Sequence, residues 1–458
     1  MNNYKPKFHF TSPSGWINDP NGFVYFKGYY HLFYQYHEGK HCGVMSWGHA
    51  ISKDLVNFEE LPPVITHIKD YDKDGSWSGS SYVKNNKLYI LYTGHKIVDN
   101  KAVQTQNLVI SDDGFNFKYY ENNPVIFEKH LPENGTINDF RDPSLFKYKN
   151  MYYCMLGNKS IDNIAQLLLY KSNDLINWNF DMTLISSNEL GYMIECPSMA
   201  RINNKRLLIM SPQGLKDKGN DFWNVYSSIY TICSLDFNDL NIKNIYEIDH
   251  GLDFYASHCI SNGNILISWF NIWERTIPSL DEDQNWTNAF TLPRKLSIKK
   301  GKMIQKPLDN LSNYFKINKI YSGKLLKTIN AKGFHKHIHL EFDSQNEISV
   351  KFFKKAKYYS EVFYKNNLVT IDRRNSLIPI KSFKEEKSSL NYRQICISSK
   401  KVILDIYLDR ILAEVFINNG KEVMSMTTYH PDDFNNIVIK NKGNKKVKLI
   451  LKSFKNIK

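Results

Sequence analysis

The sequence predicts an all-β chain, with a five-bladed β-propeller over its amino-terminal two thirds. Three observations carry the prediction: a segment that recurs about every sixty residues, a hairpin pattern in step with it, and near absence of helical periodicity. The recurring segment runs Ser, then Asp, then Leu or an aromatic. It reads SKDLVNFE from Ser52, SDDGFNFK from Ser111, SNDLINWN from Ser172 and, more loosely, SLDFNDL from Ser234, with starts 59, 61 and 62 residues apart.

The hairpins follow in order as GFVYFKGYYHLFYQY, SGSSYVKNNKLYILYTG, PSLFKYKNMYYCMLG, PSMARINNKRLLIMS and ASHCISNGNILISWF. Each joins a short strand to an apolar or aromatic strand through a two-residue polar turn. The turns Lys27-Gly28, Asn85-Asn86, Lys149-Asn150, Asn203-Asn204 and Asn262-Gly263 suit tight hairpins that need φ > 0. Five such copies fit a propeller of four-stranded blades better than a sandwich, with a different all-β repeat as the alternative.

Bulk properties narrow the class of protein. A chain of 458 residues is too long for one ordinary core and implies two domains, and 42% hydrophobic with 14% aromatic residues fills a large interior. The opening MNNYKPKFHFTSPSGW has no apolar signal core, and nowhere do about eighteen apolar residues run together, so a cytoplasmic location and no membrane partner are expected. Cys42, Cys154, Cys196, Cys233, Cys259 and Cys396 stand far apart without metal-like spacing. They read as reduced, mostly buried thiols, and neither a metal nor a cofactor is expected.

The net charge of +14 is unevenly spread: Lys and Arg number 29 against 32 Asp and Glu up to residue 300, and 31 against 14 beyond it. The excess sits in strand-like text such as VKFFKKAKYY and KKVKLILKSF, where alternate positions point to solvent. No nucleic-acid motif accompanies it, so no nucleic-acid partner is expected.

The stretch WINDPNG, Trp16 to Gly22, raises the question of chemistry. Asp-Pro and Asn-Gly are ordinary turn pairs, which is the plain reading of Asp19. In register with the hairpins, however, stand Asp19 in NDPNG, Ser78 in WSGSS, Asp142 in RDPSL, Glu195 in ECPSM and Ala256 in YASHC. Equivalent positions on propeller blades face one another across the central channel, so three carboxylates would converge. Such a cluster opposes folding by like-charge repulsion and means a metal site or acid/base work. None of the stretches resembles a calcium loop. One raised carboxyl group beside one ionised carboxylate is the pairing used to cleave glycosidic bonds, and Trp16, Tyr34, Trp47, Trp77, Trp223, Tyr255 and Trp269 supply aromatics that suit a sugar.

WINDPNG, FYQYHEG, SWGHAISKDLVNFEELP, WSGSS, FRDPSLF, ECPSM, SPQG, GLDFYA and TLPRKLS follow one another in an order that resembles glycoside hydrolase family 32. LDRILAEVFINNGKEVMSMTTYHP is similar to a strand pair of that family's carboxy-terminal β-sandwich. The resemblance implies a propeller over residues 1–305, a linker over 306–320 and a β-sandwich over 321–458. It also implies a retaining β-fructofuranosidase, and the expected cytoplasmic location favours small imported sugars, sucrose 6-phosphate ahead of sucrose, with the chain expected as a monomer or homodimer. A fructan exohydrolase shares every one of these stretches. A sugar-binding propeller without activity is the alternative of another class.

By the same resemblance Asp19 is the nucleophile, Glu195 the general acid/base and Asp142 the transition-state stabiliser, while Asn18, Gln35, Trp47, Ser78 and Arg141 line the fructose pocket. Glu195 is expected beside an apolar wall that keeps it protonated. Arg141 reads equally well as a structural ion-pair partner, and Cys196 as packing. Ile17 stands where the family often has Met, and Trp77 where it often has Phe. His41, His95, Lys96 and Arg275 are candidates for a phosphate site.

Overall fold

Alternating burial and turn-forming pairs recur from Gly15 to Pro307, and in a computed structural model this stretch folds into five successive antiparallel sheets. The structure describes residues 3–281, 284–323, 328–383 and 391–455. The innermost strands are Gly15–Phe26, Ser76–Lys84, Gly135–Tyr148, Met193–Ile202 and Tyr255–Cys259. Each is followed outward by three more strands, and neighbouring inner strands touch in cyclic order, the fifth against the first. The short strand Trp286–Thr287, from within the fifth repeat, pairs in parallel with Gly15–Phe26 and ties the end of the ring to its start. This is a β-propeller.

Local chemistry explains the repeat. At all five hairpins the first turn residue adopts φ > 0: 50° at Lys27, 49° at Asn85, 53° at Lys149, 55° at Asn203 and 58° at Asn262. The Ser-Asp segment is the turn between the third and fourth strands of a sheet. Asp54 accepts the backbone N–H of Val56 at 2.9 Å and Asn57 at 2.8 Å; Asp113 holds Phe115 and Asn116, and Asp174 holds Ile176 and Asn177, in the same way. The fourth copy is looser, with the Asn238 backbone N–H reaching Asp236 at 3.3 Å.

The described strands beyond Pro307 form two six-stranded sheets packed face to face. Ile338, Leu340, Val350, Phe352, Val402 and Leu404 fill the space between them at 0% exposure. In Val447–Phe454 the apolar Val447, Leu449 and Leu451 point inward and Lys448 outward, which puts the positive excess in water. The stretch 306–320, expected as a linker, is mostly structured. Lys306 and Pro307 complete the strand Lys302–Pro307, a 3₁₀ helix spans Asp309–Tyr314, and Phe315–Gly323 is a strand paired with Val447–Phe454. Its residues 316–320 are exposed at an edge, so no apolar alternation marks them in the sequence.

Buried charge locks the two parts together. Arg294 bonds Asp249 at 2.9 Å and Glu414 at 2.6 Å, with all three side chains enclosed; Asp253 sits between Arg275 at 2.8 Å and Arg373 at 2.6 Å. His9, in the amino-terminal segment, bridges Asp409 and Glu414 at 2.8 and 2.9 Å. Arg275 is thereby committed to the junction and is not a phosphate ligand. The cysteines are free, with Cys42 and Cys396 exposed and the other four buried. No helix among the described residues is long and apolar enough to cross a membrane.

Candidate active site

Each inner strand breaks register near its inner end. Pairing is interrupted between Ile17 and Pro20, Trp77 and Gly79, Arg141 and Ser144, Glu195 and Ser198, and Tyr255 and His258. A bulge bends a strand and re-aims its side chains, and here the bulged residues Asp19, Ser78, Asp142 and Cys196 of four sheets contact one another. In the last three sheets the bulged residue takes a left-handed conformation, with φ of 64° at Asp142, 45° at Cys196 and 52° at Ala256. For a residue with a Cβ that costs roughly 1–2 kcal/mol.

The left-handed residues correct the sequence register. Asp142 is level with Cys196 and Ala256, not with Glu195. Glu195 is level with Arg141 and Tyr255, one residue earlier, and these three side chains meet. Arg141 donates to Glu195 Oε1 from Nε at 3.1 Å and Nη2 at 2.9 Å, and the Tyr255 hydroxyl donates to Oε2 at 2.7 Å. The apolar wall expected beside Glu195 is therefore a guanidinium and a phenol. In the sequence Tyr255 is legible only as one aromatic among several. Aligning YAS with RDP and ECP is the signal that exposes its equivalence to Arg141 and Glu195.

Asp19 accepts from Ser78 Oγ at 2.6 Å and from Asn18 Nδ2 at 3.0 Å, while Asn18 is itself held by the Trp16 indole N–H at 2.9 Å. The Cys196 thiol lies 3.5 Å from Asp19 Oδ2, and the Cys196 backbone N–H donates to Asp142 Oδ2 at 2.8 Å. Cys196 is thus more than packing, since it links two carboxylates from different sheets. Asp142 is anchored from behind, its own N–H donating to Thr93 Oγ1 at 2.9 Å.

Burial raises the Asp19 carboxyl above its ordinary range, against the Ser78 and Asn18 hydrogen bonds that pull it down; the Glu195 charge adds to the rise. Asp142 is pushed up to about 7, first by burial, with Arg141 opposing and Glu195 and Asp19 reinforcing the shift. The three acids therefore share one electrostatic field.

The other expected liners divide. Ser78, Asn18 and Arg141 touch the acids directly. Gln35 donates to the Ser76 carbonyl at 3.1 Å and supports the strand carrying Ser78. Trp47 is 0% exposed and packs with Phe33 and Tyr92, so it offers a sugar no surface; its indole donates to the Trp77 carbonyl at 2.9 Å and braces the wall from behind. Trp77 carries that wall: His95 stacks on it at 3.9 Å, and the Arg141 guanidinium lies 5.9 Å from its ring centre. Lys96 is paired with Asp70 at 2.7 Å.

A propeller whose mouth gathers three acids, carried on a β-sandwich, is the build of a glycoside hydrolase. Residues 9–307 match the model of the glycosyl hydrolases family 32 N-terminal domain and residues 307–456 that of the family 32 C-terminal domain. The chain belongs to glycoside hydrolase family 32. It is 31% identical to a sucrose-6-phosphate hydrolase of Escherichia coli, covering 93% of this chain and 90% of that one. Its fold is similar to the structure of sucrose-6-phosphate hydrolase from Lactobacillus gasseri, with a TM-score of 0.88 and 29% identity over 98% of this chain and 93% of that one. It is similar also to a family 32 β-fructofuranosidase of Bombyx mori solved in complex with sucrose, with a TM-score of 0.83 and 31% identity over 99% and 94% of the two chains.

Proposed function

We propose that this enzyme is a retaining β-fructofuranosidase that releases fructose from sucrose 6-phosphate and sucrose, with Asp19 as nucleophile, Glu195 as acid/base and Asp142 as stabiliser. The observation that supports it is the meeting of these acids through Cys196 and Arg141, although Asp19 and Cys196 are 177 residues apart in the chain. Asp19, oriented by Ser78 and Asn18, attacks the anomeric carbon of the fructosyl unit. The bond to the leaving sugar oxygen breaks as that oxygen takes a proton from Glu195. The fructosyl ester on Asp19 is then opened by water, which gives its proton back to Glu195, and configuration is retained. Asp142 accepts hydrogen bonds from ring hydroxyls that strengthen as positive charge develops, a contribution of several kcal/mol in this reaction class.

Sucrose 6-phosphate ranks first because the relative in Escherichia coli and the similar structure from Lactobacillus gasseri carry that name. A cytoplasmic location belongs to the same reading, since phosphorylating import would deliver that substrate inside the cell. Rates on sucrose, sucrose 6-phosphate and inulin, for wild type and Asp19→Ala, test the assignment, with NMR of the first-formed fructose anomer testing retention. Loss of about 10⁴-fold or more fits removal of a nucleophile acting within a unit, and a change under about tenfold rejects it. Faster turnover of inulin than of either sucrose would make the enzyme a fructan exohydrolase. No fructose from any of them would leave a binding propeller.

A further inference from the structure

Away from the mouth, a cavity of about 910 Å³ opens where the fourth sheet meets the sandwich. Three residues on its wall, Asp221, Glu247 and His250, hold donor atoms within 4.8 Å of one another. Glu247 ends the strand Tyr246–Glu247, and His250 follows in the turn that crosses to the sandwich, where its N–H donates to the Val423 carbonyl at 2.8 Å. Asp221 comes from the loop between strands Lys205–Gln213 and Ile229–Ser234.

His250 is the informative group. It is 8% exposed, and its Nδ1 lies 3.0 Å from Glu247 Oε2 and 3.6 Å from Asp221 Oδ1 without a well-aligned hydrogen bond to either. Its other nitrogen, Nε2, faces Glu422 Oε2 at 3.2 Å. A metal-bound imidazole has this surrounding: one nitrogen on the ion, the other N–H on a carboxylate that fixes the tautomer. Arg393 holds both oxygens of Glu247 at 3.0 and 2.8 Å, which sets that carboxylate's orientation. Three carboxylates, Asp221, Glu247 and Glu422, surround the ring, and a divalent ion on Nδ1 would take the place of a proton there.

We propose that Asp221, Glu247 and His250 bind one divalent transition-metal ion of the Zn²⁺ type, with Glu422 orienting His250 and water from the cavity completing the coordination. One imidazole nitrogen and two carboxylate oxygens suit such ions, whereas Ca²⁺ takes six to eight oxygens. The site lies outside the catalytic mouth and joins a propeller loop to the domain junction, so its effect is on stability.

The test uses the full chain stripped with EDTA and then titrated with ZnCl₂, with bound metal measured by elemental analysis after dialysis and melting followed in parallel. One ion per chain and a rise in melting temperature of about 2 °C or more are expected. Asp221→Asn, in a side chain half exposed on a loop, should weaken Zn²⁺ binding about tenfold or more while sucrose hydrolysis is unchanged. His250→Gln should abolish binding, and Co²⁺ in the wild type should give the visible absorption of a low-coordinate site. No ion bound at about 1 mM Zn²⁺, or equal affinity in both variants and wild type, overturns the proposal.

Discussion

Arg141 places two nitrogens on a single oxygen of Glu195, Nε at 3.1 Å and Nη2 at 2.9 Å, while its remaining nitrogen, Nη1, reaches Asp139 at 2.9 Å. One guanidinium thus spans two acids and lies against the Trp77 face. A lysine carries the same charge at one point and cannot serve both partners. Arg141→Lys is expected to lower kcat/KM for sucrose about 10²-fold, read from initial rates. A loss under about threefold would show that the fork has no bearing on the reaction.

Ser78 is expected to set the acid side of the pH profile. Its hydroxyl donates to Asp19 at 2.6 Å and favours the ionised carboxylate, in opposition to the burial that raises this group. Removing the donor leaves the rise unopposed, so in Ser78→Ala the acidic limb of kcat/KM moves to higher pH. An unshifted limb would mean that Asp19 does not govern it.

Asp142 makes a stability prediction whose sign follows from its raised carboxyl. The folded state holds this proton more tightly than the unfolded chain, so its contribution is complete below the ordinary value of 3.8 and is lost as pH rises through about 7. An asparagine in its place has no proton to lose. The variant Asp142→Asn is therefore expected to be more stable than wild type at pH 8, by about 1–3 kcal/mol in unfolding free energy, and level with it near pH 4. Denaturant titrations at both values check this, and a variant less stable at pH 8 would contradict it.

The junction is held by charges with no access to water. Arg294→Met leaves Glu414 and Asp249 enclosed without their shared cation, and His9 then faces Glu414 alone on that side. Loss of about 3–5 kcal/mol in urea unfolding is expected, since one partner of a buried pair is left uncompensated. A loss under about 1 kcal/mol would mean that the surroundings relax to let water in.

Much of the propeller is legible in the sequence because its signals are local. Asp54, Asp113 and Asp174 each capture backbone N–H groups within three residues, and Lys27, Asn85, Lys149, Asn203 and Asn262 each turn a hairpin, so the chemistry and its spacing lie side by side in the text. The exposed edge strand Phe315–Gly323 shows no such signal, and its first residues read as linker. Trp47 reads as a pocket wall because an aromatic in a resembling stretch does not reveal which side of a strand it faces.

Turn chemistry and strand alternation act over a few residues, so the succession of hairpins and the stretches that bear acids can be read along the chain. That Glu195 stands with Arg141 and Tyr255, and that Cys196 joins Asp19 to Asp142, emerges in the folded chain alone. Those pairings depend on bulges that shift each strand by a residue and on the closure of the ring through Trp286–Thr287, and no short window of sequence contains either.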